Sequence, residues 1–279
     1  MIEEFLNYER KVKNLSENTI KAYGDDLRAF AKYLTSEGQK TRWSEVHKRT
    51  IDSYLAHCHD LGEKPATIRR RLASIRALYN YFRKQGMLEQ SPAQYCEMPK
   101  RERSLPNTIS SEAIEAFIDN VHKPLTLRLM VAIFYETGIR ISELTSLETW
   151  DVNLKEQSLR VYGKGLKSRI VYYGDATARL LPSYISGRRG QIFQGSDQCQ
   201  REIRWQIWRA FNRDATNGKA SPHTIRHTYA TKMLNQGMPI QSLQMLLGHE
   251  NVETTRNYAR LTNADVKRDY LRATKSGGA

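Results

Sequence analysis

The 279-residue chain has only three cysteines, Cys58, Cys96 and Cys199, odd in number and with no close spacing. Neither a disulfide framework nor a cysteine zinc site is indicated by that pattern. No stretch approaches the ~18 consecutive apolar residues of a membrane span. The first residues, MIEEFLNYERK, lack the apolar segment of a signal peptide, so a cytoplasmic protein with no membrane partner is expected. A phosphate-binding loop is also missing: GKG at 163–165 has neither the spacing nor the Ser or Thr of a P-loop. There is no internal repeat, and no low-complexity tract beyond the KSGGA end. Acidic side chains are in deficit, with 30 Asp and Glu against 44 Lys and Arg, a formal net charge of +14. Such an excess points to a polyanionic partner, although a basic soluble protein without one has the same composition. The excess is not a tail: residues 1–105 carry 20 basic and 14 acidic side chains, and the remainder is basic as well. Positive charge on both halves suits a chain that grips a duplex from two sides.

The length suggests two packed domains. In SENTIKAYGDDLRAFAKYL (16–34), Ile20, Tyr23, Leu27, Phe30 and Leu34 recur at steps of three and four, the stripe of an amphipathic helix that Ser16 or Asn18 can cap. A second helix is predicted through ATIRRRLASIRALYNYFRKQG, with Ile68, Leu72, Ile75, Tyr79 and Phe82 inward and Gly86 as its stop. Arg69, Arg76 and Arg83 recur every seven residues on one face of it, either a solvated surface or one lying against DNA. The following SPAQYCEMPKRERSLPNTIS, bracketed by Pro92, Pro99 and Pro106, reads as an extended linker. The expected division is a helical domain over 1–90, a linker over 91–108 and a second domain over 109–279. In the second domain SLRVY (158–162) and RIVYY (169–173) flank GKGLKS as a β-hairpin with Lys164 at its turn. Helical patterns surround it. The fold class is mainly α, with one small antiparallel sheet in the second domain.

Four segments of this domain concentrate cationic and tautomeric side chains: ETGIRISEL with Arg140, VYGKGLKSR with Lys164, SPHTIRHTYAT with His223 and Arg226, and LGHENVETTRNY with His249 and Tyr258. Each has a plain explanation alone. Arg140 can pair with Glu143 or Glu136, Lys164 can be a surface turn lysine, His223 a helix cap and His249 a core histidine. His223 and His227, at i and i+4, also have the spacing of zinc ligands, with His249 as a third nitrogen. Thr224, where the zinc-protease motif has Glu, and the adjacent cation Arg226 speak against a metal, so none is expected. Together two arginines, two histidines and a lysine call for an anion, because the unpaired cluster repels itself. Phosphate answers that: arginine's planar fork matches two non-bridging oxygens, and histidine donates to the same oxygens or moves a proton. Tyrosine has a pKa of ~10 when free, but surrounding cations stabilise its phenolate, which makes Tyr258 a candidate nucleophile.

The ordered set TGIRISEL, GKGLKSR, HTIRHTYAT and LGHENVETTRNY resembles the tyrosine recombinases, the phage integrase and Xer-like group. The resemblance covers nearly the whole chain, and LSENTIKAYGDDLRAF is similar to the opening of that family's helical, SAM-like core-binding domain. It implies a site-specific DNA recombinase that works without a cofactor. Arg140 and Arg226 would clamp the scissile phosphate, and His223 and His249 would donate hydrogen bonds to it. Lys164 would protonate the departing 5′ oxygen, and Tyr258 would attack phosphorus to form a 3′-phosphotyrosyl bond. The implied partners are duplex DNA with specific sites and three further copies of the chain in a tetramer, or a second recombinase beside it. Residues 263–273 read as a short charged helix that docks either on a neighbouring protomer or on its own domain. Two alternatives keep the fold: a DNA-binding accessory protein without cleavage activity, and a type IB topoisomerase. The third, from the histidine spacing, is a zinc hydrolase.

Overall fold

Apolar residues at helical spacing and a few charged side chains tied to backbone carbonyls shape the first part of the chain. The computed structural model describes residues 1–36, 43–99, 108–163, 168–193, 197–211, 220–248 and 263–275. The chain divides into two compact units, Met1–Ser104 and Leu105–Ala279. The first holds α1 (Ile2–Lys11), α2 (Glu17–Ser36), α3 (Lys48–Asp60) and α4 (Pro65–Lys84). Ser16 starts α2, its Oγ accepting the Thr19 N–H at 3.3 Å. Pro65 opens α4, and Gly86 follows its end in the left-handed region at φ +71°. The predicted stripes face one core: Ile20, Leu27, Phe30 and Leu34 of α2 meet Ile68, Leu72, Ile75, Tyr79 and Phe82 of α4. Two carboxylates are buried in this unit: Asp26, satisfied by Arg70 at 2.6 Å and by the Ser74 hydroxyl at 2.8 Å, and Glu9, paired with Lys13 at 2.7 Å.

The first half of the stretch expected to be a linker instead packs on this unit. Ala93 and Cys96 are buried in its core. Arg76 donates to the Ala93 carbonyl at 3.1 Å and to that of Cys96, and Arg69 donates to the Pro99 carbonyl. Proline removes backbone donors but leaves carbonyls to be satisfied, and these two arginines satisfy them.

In the second unit α5 (Ser111–Asp119), α8 (Asp175–Ile185), α9 (Asp197–Phe211) and α10 (Pro222–Asn235) pack around α6 (Leu125–Thr137). Every residue of α6 from Leu129 to Tyr135 is buried, as befits a helix that is apolar all round. The short α7 (Ile141–Thr145) leads into an antiparallel sheet of β1 (Val152–Asn153), β2 (Ser158–Tyr162) and β3 (Ser168–Tyr172), in that order. Leu159 lies opposite Val171 and Val161 opposite Arg169. Leu159, Val161 and Val171 are buried, so Arg169 shares the inward face with them. Helix α11 (Ile240–Leu247) and the tail helix α12 (Asn263–Lys275) complete the unit. The tail helix docks on its own domain: Val266, Tyr270 and Ala273 are buried, the Tyr270 ring lies 5.7 Å from that of Tyr172, and the Ser242 hydroxyl donates to Asp269 at 2.5 Å. Among the described residues no helix is long and apolar enough to cross a membrane.

Candidate active site

Arg140 stands at the N-cap of α7, and in the sequence RISE the Glu143 side chain turns back to it. The Glu143 carboxylate accepts the Arg140 backbone N–H at 2.7 Å and its Nη1 at 3.0 Å. Of the two carboxylates within reach on sequence grounds, Glu143 is therefore the partner. Glu136 caps another helix, accepting the backbone N–H groups of Gly174, Ala176 and Thr177 at the start of α8 at 3.0–3.1 Å. Burial pushes the Glu136 carboxyl upward despite those bonds.

Glu143 is buried and does not serve Arg140 alone. Arg169 meets it with both prongs of its fork, Nη1 to Oε1 at 2.8 Å and Nη2 to Oε2 at 2.9 Å. Burial on its own would raise the Glu143 pKa. The hydrogen bonds and charge of Arg169, followed by the backbone bond and charge of Arg140, outweigh it and hold the carboxyl below its usual range.

Three arginines then converge on the end of α11. Arg169 Nε donates to the Leu246 carbonyl at 2.6 Å, Arg226 Nη2 to Leu247 at 2.7 Å, and Arg140 Nη2 to Gly248 at 2.8 Å. Carbonyls at a helix C-terminus have no partner within the helix and form the negative end of its dipole, so cations are held there readily. Arg226 reaches a second helix end as well, donating from Nη1 to the Gly138 carbonyl at 2.6 Å. Gly138 and Gly248 both adopt left-handed backbone, φ +62° and +64°, where side chains are strained. A Cβ on Gly248 would also come within 2.8 Å of Arg169 Nη1.

The electrostatic balance is uneven. Arg226 is 6% exposed, and among the described residues no carboxylate forms an ion pair with it. Burial, with the neighbouring charge of Arg140, lowers its pKa to about 10, still cationic at neutral pH. His223 lies in the first turn of α10, which Ser221 caps by accepting the Thr224 N–H at 3.1 Å. Its imidazole is held below the ordinary value, first by desolvation and then by His227, Arg226 and Arg140. The His223 and His227 rings touch edge to face with centroids 4.6 Å apart. No group of three or more His, Cys, Asp or Glu able to hold a metal occurs among the described residues.

The structure thus brings together Arg140, Arg226 and His223. Lys164, His249 and Tyr258 lie outside the described residues. Arg69, Arg76 and Arg83 sit on α4 of the first unit, where Arg69 and Arg76 hold the carbonyls of residues 93–99 and Arg83 is exposed.

The chain as a whole has relatives. The phage integrase family matches residues 107–265, and the family's N-terminal SAM-like domain matches residues 2–86. The chain belongs to the phage integrase family of tyrosine recombinases. Tyrosine recombinase XerD of Oceanobacillus iheyensis is 30% identical over 96% of this chain and 96% of its own length. Tyrosine recombinase XerC of Staphylococcus saprophyticus is 30% identical over 94% and 92%. The Tn1549 transposon integrase, solved in complex with transposon right-end DNA, shares the fold at TM-score 0.71 and 16% identity, over 98% of this chain and 99% of that one.

Two members of the candidate site lie within the motif segments without being among their predicted catalytic residues. Glu143 draws notice in the sequence only as an orienting group for an arginine, and the structure gives it that role. Arg169 reads there as the edge of a strand. The usable signal is its alternation with Val171, which puts a guanidinium on the face that packs inward.

Proposed function

We propose that this tyrosine recombinase cleaves and rejoins DNA at specific sites through a 3′-phosphotyrosyl intermediate, with Tyr258 as nucleophile. The observation that carries the reading is Arg226, a buried cation with no paired carboxylate among the described residues, beside a second arginine and a histidine whose pKa is held below its ordinary value. A buried charge of that kind is costly unless an anion completes it, and a phosphodiester entering the site would be that anion. Arg140, whose side chain is 42% exposed, remains open to the same ligand.

In-line attack builds negative charge on the equatorial oxygens of phosphorus. Preorganised donors stabilise that charge by roughly 3–4 kcal/mol each when removed singly. Arg140 and Arg226 take the two non-bridging oxygens, and His223 and His249 donate to them. The Tyr258 hydroxyl gives up its proton to water, its oxygen forms the bond to phosphorus as the bond to the 5′ oxygen breaks, and Lys164 supplies the proton that the departing oxygen takes. The phosphotyrosyl link keeps the energy of the broken ester, so the 5′ hydroxyl of a second strand rejoins it without ATP. Exchange between two sites calls for four protomers, either of this chain alone or with a second recombinase. The excess positive charge of both halves supports a grip on duplex DNA in which the exposed Arg83 is a backbone contact, with Arg69 and Arg76 on the same helix.

The test uses a duplex selected from a random-sequence pool by binding to the full chain and nicked beside the cleavage position. Wild type is expected to form a covalent protein–DNA adduct in EDTA, and Tyr258→Phe none. Specific binding without an adduct sinks the enzyme reading, and an adduct from Tyr258→Phe sinks the nucleophile assignment.

A further inference from the structure

We propose that Arg169 is a positioning residue for strand cleavage: by neutralising Glu143 it leaves the Arg140 guanidinium its full charge for the scissile phosphate. The proposal rests on the function argued above, and names a residue that acts through Arg140 rather than on the DNA.

The geometry starts from one carboxylate oxygen. Glu143 Oε1 accepts from Arg140 Nη1 at 3.0 Å and from Arg169 Nη1 at 2.8 Å. With Arg169 in place, two guanidiniums share one carboxylate and the cluster keeps a net positive charge. Without it, Arg140 and Glu143 form a neutral pair, and the buried carboxylate competes with phosphate for the same fork. A carboxylate that has lost its bidentate partner in a shielded site attracts the remaining cation more strongly, because little solvent screens the pair.

Position adds to charge. Arg169 lies on β3, five residues after Lys164 in the chain, and faces inward opposite Val161. Its Nη1 and Nη2 hold α7 through Glu143, while its Nε holds the Leu246 carbonyl at the end of α11. One side chain, 15% exposed, therefore joins the hairpin strand, the helix that Arg140 caps, and the helix that ends two residues before His249. Glycine at 248 leaves room for it, since a Cβ there would collide with its Nη1. Rigid support of this sort matters because a displacement of about 1 Å in a reacting group costs roughly a hundredfold in rate.

The full-length chain is tested on the selected nicked duplex in two forms, one with the natural phosphate at the cleavage position and one with a neutral methylphosphonate. Arg169→Gln is expected to bind both duplexes within about twofold of wild type and to form the adduct roughly a hundredfold more slowly on the phosphate. On the methylphosphonate, which has no charge for Arg140 to match, the gap to wild type narrows to less than about tenfold. A general loss of packing slows both substrates alike and produces no narrowing. If Arg169→Gln does not fold, Arg169→Lys carries the comparison: it keeps the charge without the fork, so its defect on phosphate is smaller and narrows in the same way. Equal slowing on both substrates, or rates equal to wild type on phosphate, overturns the proposal alone. A wild-type chain that forms no adduct overturns the recombinase reading, and the role of Arg169 falls with it.

Discussion

Replacing Gly138 by alanine perturbs the site at a single backbone carbonyl. Gly138 ends α6 at φ +62°, and its oxygen accepts Arg226 Nη1 at 2.6 Å. An L side chain in left-handed backbone costs about 1–2 kcal/mol. The added Cβ would also sit 2.4 Å from Tyr229 Cδ1 and 2.9 Å from Leu247 Cδ2. Tyr229 is fully enclosed, so its ring cannot swing aside, and overpacking of this kind costs about 1–3 kcal/mol more. The expected loss is thus roughly 2–5 kcal/mol. Gly187 supplies the control: it has φ +71° and nothing within 4 Å of the Cβ position, so its alanine variant should lose only the conformational part. The measurement is equilibrium urea unfolding of the full chain in a Trp43→Phe background, leaving Trp150, Trp205 and Trp208 of the second unit as reporters. The slope against urea must be unchanged for the comparison to hold. If Gly138→Ala is within about 0.5 kcal/mol of Gly187→Ala, the close contact with Tyr229 is not what requires glycine, and the packing argument is refuted. Because the displaced carbonyl holds Arg226, adduct formation by Gly138→Ala should also fall, while Gly187→Ala should cleave at the wild-type rate.

Two further outcomes follow from the charges. The folded pKa of His223 lies below 6.5, so as pH falls through 6.5 the unfolded chain takes up the proton first. Its contribution to stability is therefore present above that pH and lost below it. Proton NMR of the imidazole should give a midpoint under 6.5 without DNA and a higher one with duplex bound, since phosphate favours the imidazolium; a midpoint at or above 6.5 in the free protein contradicts the reading. Arg76→Ala should destabilise the first unit by roughly 1.5–3 kcal/mol through loss of its charged hydrogen bonds to the Ala93 and Cys96 carbonyls. Arg83→Ala should leave stability unchanged and reduce the slope of log K against log salt by about 0.9 if Arg83 meets a phosphate. The opposite pattern would exchange their roles.

The parts legible in the sequence were those written in local periodicity or in motif order. The stripes of α2 and α4, the hairpin strands and the set around Arg140 and Arg226 are of that kind. What stayed hidden depends on contacts distant in the chain. Cys96 and Ala93 sit in a proline-bracketed stretch that reads as extended linker, yet Arg76, seventeen residues before Ala93, turns it into part of a core. The two-residue β1 is too short to leave an alternating pattern. Arg69 and Arg76 share a helical face as expected, but heptad spacing cannot say whether a face meets DNA or the chain's own carbonyls. The docking of the tail helix was open for the same reason: Tyr270 finds Tyr172 nearly a hundred residues away. Arg169 is hard to read from sequence because a charged residue at a strand edge normally points to solvent; its alternation with Val171 speaks against that, and the pairing with Val161 shows it inward.

The use of a helix C-terminus at this site runs against the usual electrostatics. Anions are commonly bound at helix N-termini, where the dipole is positive and N–H groups point outward. The end of α11 has the opposite sign, and a phosphate placed directly against its carbonyls would be repelled. Arg140, Arg169 and Arg226 cover the Leu246, Leu247 and Gly248 carbonyls and reverse the sign of that surface. The carbonyls in turn fix each guanidinium plane through a bond of 2.6–2.8 Å, which solvent could not do. Arg140 and Arg226 are then oriented before any DNA arrives, and their orientation depends on α11 remaining folded to Gly248. His249 is the next residue in the chain, and Tyr258 follows nine residues later. The chain that carries the proposed nucleophile therefore follows directly on the residue that holds Arg140, so a change that loosens the end of α11 should slow adduct formation by releasing Arg140 and Arg226 from their carbonyls.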